Sequence, residues 1–252
     1  MSKTLIFAHR GANREAAENT RSAFDKALAY PIDGIETDVQ LSRDEVAVLW
    51  HDRDLKKLRL PGRHIDDYDY LQLREMDFAA HFAGAQKEGV MSLQEFVAAY
   101  RSRCRLLLEI KNRDWEQVER HQLKVQQTLA LAGEQTDGRV MISSFNLDSL
   151  IYAQQVVPSF PLVYNLEPEQ SVNDARYALD EQPFLHGLCV HISTLDADMM
   201  ELVRERGKFI AVYTCDTDAE ITRALRLGVD VLISDVPQKA LQMRGDKSTT
   251  LS

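Results

Sequence analysis

The chain has 252 residues, of which 44% are hydrophobic, 27% charged and 8% aromatic, with 11 Gly and 7 Pro. That is the composition of a globular protein with a full-sized core, and it excludes intrinsic disorder, a collagen-like repeat and a small disulfide-stapled scaffold. The 30 Lys and Arg face 39 Asp and Glu, a net charge of −9, so the field repels polyanions and excludes a generic nucleic-acid binder, though not a small anionic substrate held by a few local cations.

The chain opens on a short apolar run, Leu5-Ile6-Phe7-Ala8, that leads straight into His9-Arg10. The run is too short for the apolar region of a signal peptide, and nowhere does the chain approach the about 18 apolar residues of a membrane span. The expectation is a cytoplasmic protein with no stable membrane association. Cys104, Cys189 and Cys215 fit no metal-ligand spacing and read as buried free thiols.

Short β-branched or apolar runs then alternate with stretches of helical period, the pattern of parallel βα units. Eight strands are expected, near Leu5 to Ala8, Gly34 to Val39, Arg105 to Ile110, Val140 to Ile142, Pro161 to Tyr164, Leu188 to His191, Phe209 to Tyr213 and Val231 to Ile233. Helices are expected at about Thr20 to Ala29, Leu93 to Tyr100, Trp115 to Leu131, Leu147 to Val156, Asp174 to Leu179, Ala197 to Arg206 and Asp218 to Leu227. Ser92 to Glu95 and Thr217 to Glu220 have the form of capping boxes, and Gly133, Gly207 and Gly228 that of helix C-caps. Eight strands with helical crossovers and no GxGxxG turn favour a closed (β/α)8 TIM barrel over an open dinucleotide-binding sheet.

Two segments break this rhythm. Val46 to His51 follows Val39 too closely for a helical crossover, so it returns antiparallel through Ser42-Arg43-Asp44-Glu45 and brings His51 back opposite Glu36. Residues 52–90, rich in Asp, Tyr and Arg, read as a small insertion capping one barrel end. The expected organisation is one barrel domain over residues 1–244 and a polar tail over 245–252.

Active sites of such barrels lie where the strands end at their C-terminal face. Polar residues collect there: His9 and Arg10 after the first strand, Glu36 and Asp38 on the second, His51 on the return, Glu109 and Lys111 on the third. Strand residues two apart share a face, so Glu36 and Asp38 project together, as do Glu109 and Lys111. Three converging carboxylates need a neutralising cation. Their hard oxygens select one Mg2+ or Ca2+ ion, and salt bridges to Lys111 and Arg10 are the alternative.

His9 and His51, facing carboxylates at strand ends, are placed to take or give a proton near neutral pH. His64, His81, His121 and His186 read as packed or surface residues, and His191 ends the sixth strand where it can face the barrel mouth. Arg10 offers a planar fork for phosphate oxygens and Lys111 a compact cation. The set describes phosphoryl chemistry.

At these residues the sequence resembles the glycerophosphodiester phosphodiesterase family, through His9-Arg10-Gly11, Glu18-Asn19-Thr20, Glu36-Thr37-Asp38, His51-Asp52 and Glu109-Ile110-Lys111 in the family's order. Weaker marks follow in Ser144-Phe145, Val212-Tyr213-Thr214, Gly228-Val229-Asp230 and Ser234-Asp235, so the likeness spans roughly residues 5–237.

The resemblance implies a metal site at Glu36, Asp38 and Glu109, an acid–base pair at His9 and His51, and phosphate contacts from Arg10 and Lys111. It implies hydrolysis of glycerophosphodiesters such as glycerophosphocholine or glycerophosphoethanolamine to sn-glycerol 3-phosphate and an alcohol, through a cyclic phosphate. Asn19 and Thr20 are expected chiefly to cap the first helix, with Glu18 supporting Arg10.

The chain departs from the family at Ala17, where Pro is frequent, and at Glu45, where Gly is common. It also has Tyr213-Thr214-Cys215-Asp216 for Trp-Thr-Val-Asn, and Val90-Met91-Ser92 for Ile-Pro-Thr. Cleavage of a lysophospholipid is the alternative reading and calls for an exposed apolar rim, for which Phe78, Phe82 and Val90 are the candidates. A non-catalytic phosphodiester-binding barrel is a further alternative, and a homodimer is compatible with the sequence.

Overall fold

A computed structural model describes residues 3–113, 116–133 and 138–245. The expected start of the third helical stretch at Trp115 and all of the tail beyond Gly245 lie outside these. The elements run β1 (Leu5–His9), α1 (Arg21–Ala27), β2 (Gly34–Leu41), β3 (Ala47–Leu49), α2 (Tyr70–Glu75), α3 (Leu93–Tyr100), β4 (Arg105–Ile110) and α4 (Val118–Ala132). They continue with β5 (Val140–Ser144), α5 (Leu147–Val156), β6 (Leu162–Asn165), α6 (Val172–Glu181), β7 (Gly187–His191), α7 (Ala197–Glu205), β8 (Phe209–Tyr213), α8 (Asp218–Leu227), β9 (Val231–Ser234) and α9 (Pro237–Arg244).

The sheet order is β1-β9-β8-β7-β6-β5-β4-β2-β3, and β1 also pairs with β2. Every pairing is parallel except β2 with β3, so eight strands close a (β/α)8 barrel and β3 stands outside it. The period-2 alternation of each strand sorts its residues into two cores. Ile6, Ile35, Leu106, Leu108, Ile142, Leu162, Leu188 and Ile210 face outward and pack under the helices. Phe7, Leu107, Met141, Val163, Cys189, Ala211, Val231 and Ile233 face inward and fill the barrel. Gly34 belongs to this inner layer, since a Cβ there would lie 2.5 Å from the ring of Phe7, its partner across β1 and β2.

Two residues further along each strand, the inward positions turn polar: His9, Glu36 and Asp38, Glu109, Ser143, Asn165, His191, Tyr213 and Asp235. The apolar layer beneath these groups is a dry, rigid floor, so the strand ends are held in place by core packing.

Both expected capping boxes form, at Ser92 with Glu95 and at Thr217 with Glu220. Gly133 and Gly228 are C-caps, and Gly207 follows one residue after the C-cap Arg206. The helix α9 has no counterpart in the sequence reading. It begins with Pro237 and buries only Pro237, Ala240 and Leu241, too few apolar positions to mark a face.

The hairpin differs from expectation by one residue. Glu45 N donates to Ser42 O and Ser42 N to Val46 O, so the loop has three residues and ends with Glu45 at φ 64. The register then sets Val39 against Leu49, and Trp50 N donates to Asp38 O. His51 therefore lies past the last regular pair, one step from the level of Glu36, on irregular backbone free to turn its ring inward.

A left-handed backbone costs a β-carbon-bearing residue about 1 kcal/mol. The Glu45 carboxylate comes only within 3.9 Å of Arg120. Glu45→Gly is therefore expected to raise stability by about 0.5–1 kcal/mol, read as a rise of about 2 °C in Tm.

Residues 52–90 build a small core of their own, with Leu55, Ile65, Leu73, Phe78 and Val90 packed on Val48 and Trp50. Of the apolar rim expected from Phe78, Phe82 and Val90, Phe78 and Val90 are buried and Phe82 alone stays half-buried. The side chains of Phe78 and Val90 are spent on tethering the insertion to the hairpin, the rings of Trp50 and Phe78 meeting edge to face at 5.1 Å.

Candidate active site

His9, Arg10, Glu36, His51 and Glu109 line one cavity of about 230 Å³ at the C-terminal mouth of the barrel, together with Phe145, Asn165, His191 and Tyr213. Lys111 lines a cleft of about 610 Å³ that shares His51, Glu109, Phe145, His191 and Tyr213 with it. Of the other histidines, His121 bonds Glu116 and Ser149, His186 stacks on Phe209, His81 meets Trp50 edge to face, and His64 pairs with Asp67.

Arg10 and Gly11 leave β1 with φ of 57° and 86°. A Cβ at Gly11 would come within 2.6 Å of the Ala23 backbone, so only glycine lets α1 pack this close. Arg10 N donates to Glu36 O and Arg10 O accepts from Asn19 N, which fixes the turn between the barrel and α1.

Glu36, Asp38 and Glu109 are all buried and offer oxygens within 4.8 Å of one another. Lys111 Nζ donates to Glu109 Oε1 at 2.6 Å and stands 3.6 Å from Asp38 Oδ1, while Arg10 Nε lies 3.0 Å from Asp38 Oδ2. Glu36 Oε2 and Asp38 Oδ1 are buried with no hydrogen-bond partner. Two cations thus leave one acid uncompensated and two oxygens unsatisfied, which native interiors avoid. An all-oxygen set in this state fits a hard divalent cation.

The charge states follow. Burial, with Asp38 and Glu109 nearby, pushes the Glu36 carboxyl well above the usual carboxylate range. Burial would raise Asp38 too, but Arg10, His51 and Lys111 hold it far below. Burial works against the Lys111 ammonium, yet Glu109 and Asp38 lift it to about 12.

Each histidine has a carboxylate behind it. Asp235 Oδ1 lies 2.6 Å from His9 Nδ1 and also accepts from Asn13, while Oδ2 accepts from Arg14. Burial favours the protonated acid, but His9, Asn13 and Arg14 bring Asp235 down to about 2. Asp52 Oδ1 lies 2.8 Å from His51 Nδ1, and hydrogen bonds from His51 and Lys57 overcome burial to bring Asp52 down to about 2. An ionised carboxylate only accepts, so each Nδ1 carries the proton and each Nε2 is left to take or give one. His9 Nε2 points toward Glu36, 3.7 Å from its Oε2.

The sequence pattern of the glycerophosphoryl diester phosphodiesterase family matches residues 9–239. The chain belongs to that family. It is similar to the glycerophosphodiester phosphodiesterases of Bacillus altitudinis, at 29% identity over 96% of this chain and 98% of the relative, and of Bacillus subtilis (strain 168), at 25% over 93% and 84%. Its fold superposes on that of a phosphodiesterase from Oleispira antarctica solved in complex with the product sn-glycerol-3-phosphate, with TM-score 0.82, 24% identity and 95% and 96% of the two chains covered. A second superposition, on a structure from Silicibacter pomeroyi, gives TM-score 0.84 at 20% identity over 96% and 93%.

Asn19, Asp235 and Lys57 join this candidate site without a role there in the sequence pattern. Thr20 caps α1 as expected, accepting from Ala23 N, and Glu18 pairs with Arg10 at 3.3 Å. Asn19 is not a cap. At φ 56 it turns inward, donates to Asp38 Oδ2 at 3.0 Å and accepts from Thr37 Oγ1 at 2.7 Å. Asp235 continues the inward parity of Val231 and Ile233, a signal that could have marked it. Lys57, which donates to Glu18 at 2.8 Å and lies 3.0 Å from Asp52, has no sequence signal.

Proposed function

We propose that this enzyme hydrolyses glycerophosphodiesters to sn-glycerol 3-phosphate and the free alcohol, with Mg2+ or Ca2+ as cofactor. The observation that carries the reading is the pair His9 and His51, each backed by an ionised carboxylate, on one cavity with Arg10, Glu36 and Glu109, with Asp38 buried beside them and Lys111 on the adjoining cleft.

Glu36, Asp38 and Glu109 would hold the cation, which when bound supplies Lewis-acid polarisation of the phosphoryl group. One histidine takes the proton of the glycerol hydroxyl as that oxygen attacks phosphorus. The other gives its proton to the departing alcohol, and a cyclic phosphate forms. The two exchange roles when water opens the ring, since each has received what it needs for the reverse task. Arg10 orients the phosphate through its fork, and Lys111 offsets charge developing on the phosphoryl oxygens. The cavity walls, Phe145 and Tyr213 meeting edge to face at 5.7 Å, restrict water around the reacting groups.

The lysophospholipid reading is disfavoured, because two of its three rim candidates, Phe78 and Val90, are buried and only Phe82 is half-buried. No described helix is long and apolar enough to cross a membrane. The cytoplasm remains our proposed location, supported by the three buried unpaired thiols.

The test is release of glycerol 3-phosphate from glycerophosphocholine and glycerophosphoethanolamine, first with EDTA and then with Mg2+ or Ca2+ restored. Cation-dependent release is expected. Release that survives EDTA would remove the cation from the mechanism, and silence on both substrates with both metals would overturn the hydrolytic reading.

A further inference from the structure

We propose that Lys57, contributed by the insertion, is a positioning residue that locks the carboxylates behind His51 and Arg10 into one rigid unit. The inference rests on the roles proposed above for those two residues.

Each of the two carboxylates divides its oxygens in the same way. Asp52 gives Oδ1 to His51 Nδ1 at 2.8 Å and Oδ2 to Lys57 Nζ at 3.0 Å. Glu18 gives Oε2 to Arg10 at 3.3 Å and Oε1 to Lys57 Nζ at 2.8 Å. One ammonium therefore spans two acids whose other oxygens hold a proton carrier and a phosphate fork. The chain of contacts continues through Arg10 to Asp38, so the insertion reaches the buried acids through a single side chain.

The Lys57 ammonium is held from a third side by the Trp50 ring, 5.8 Å from its centroid. Its backbone lies in a single 3-10 turn, Lys56–Leu58, anchored by Leu55, which is wholly buried in the insertion core. Lys57 itself is absent from that core, with a side chain 33% exposed. Its contacts are spent on the site, and the fold does not lean on them.

Without the ammonium, Asp52 and Glu18 would both lie beside an empty position and repel each other, each free to rotate about its last bond. His51 would lose its fixed Nδ1 acceptor and Arg10 the brace on its outer edge. The first loss acts on proton transfer and the second on phosphate binding, so the two should separate into kcat and KM.

The experiment is steady-state hydrolysis of glycerophosphocholine at saturating Mg2+ by the wild type, Lys57→Met, Lys57→Arg, Asp52→Asn and the Lys57→Met/Asp52→Asn double variant, with Tm recorded for each. Lys57→Met is expected to lower kcat about tenfold or more and to raise KM, at nearly unchanged Tm. Lys57→Arg, which can span the same two acids, should recover most of both. In the Asp52→Asn background the kcat cost of Lys57→Met should largely vanish while the rise in KM persists, because the Glu18 branch is intact.

Values of kcat and KM within twofold of wild type for Lys57→Met would overturn the proposal, as would a kcat cost that is the same in both backgrounds. Should Lys57→Met melt early, Lys57→Gln, which is polar but shorter and uncharged, carries the same comparison. An inactive wild type, or a fully active His51→Ala, would instead bring down the functional reading on which this one stands.

Discussion

His9→Ala and His51→Ala are each expected to lower kcat for glycerophosphocholine by about 10³-fold, with far-ultraviolet circular dichroism and Tm close to wild type. The chemistry needs a proton removed from one oxygen and delivered to another, and His9 and His51 are the imidazoles of the inner cavity whose Nδ1 is held by a carboxylate. Among the described residues no carboxylate hydrogen-bonds to His191. Its Nδ1 meets Ser193 Oγ at 2.6 Å, so His191→Ala should cost far less than either of the others.

The fold tolerates both losses because the carboxylates keep other partners. Asp235 retains Asn13 and Arg14, and Asp52 retains Lys57. The double variant should be no worse than the singles, because proton removal and delivery form one relay. Asp235→Asn is the milder probe, since it leaves His9 in place and takes away the acceptor that fixes its tautomer. Residual turnover in either alanine variant above about a tenth of wild type would overturn the paired-histidine mechanism.

Removal of the cation is expected to abolish turnover, and its return to raise Tm in a pH-dependent way. The Glu36 carboxyl is pushed above its ordinary range by burial and by Asp38 and Glu109. In the metal-free protein its proton is therefore held more tightly when folded than when unfolded. That contribution is fully present below the unfolded pKa and is lost as pH rises through the folded one. A cation must displace the same proton, so it binds better as pH rises.

At a concentration about 100 times its Kd, the cation adds about 2.7 kcal/mol, or about 5–10 °C in Tm for a chain of this size. The gain should be smaller at about pH 5.5 than at about pH 8. Glu36→Gln should fold normally, because Glu36 Oε2 has no hydrogen bond to lose, and should be inactive with a weakened and flatter Tm response. An equal Tm response to Mg2+ or Ca2+ in wild type and Glu36→Gln would remove Glu36 from the metal site.

Much of this site was legible in the order of residues alone, and the reason is local. A strand alternates its side chains, so Glu36 with Asp38 and Glu109 with Lys111 had to share a face. The strand order around the barrel then brought Asp38 beside Glu109 in register. Capping boxes at Ser92 and Thr217 are read over four residues and were equally visible. The hairpin register departs from the pattern by one step because it depends on a backbone choice at Glu45, where an ordinary residue takes the left-handed conformation that pattern assigns to glycine.

What only the tertiary structure decided are the contacts that no spacing encodes. His9 meets Asp235 across 226 positions and Lys57 meets Glu18 across 39, so neither pair shares an element or a period. Asn19 looked like a cap because its neighbour is one. Its inward turn exists only because Asp38 and Thr37 stand behind it. Chain order determined which groups reach the barrel mouth, while closure of the barrel and docking of the insertion determined which carboxylate holds which base, because those partners meet only when the sheet joins its own edges.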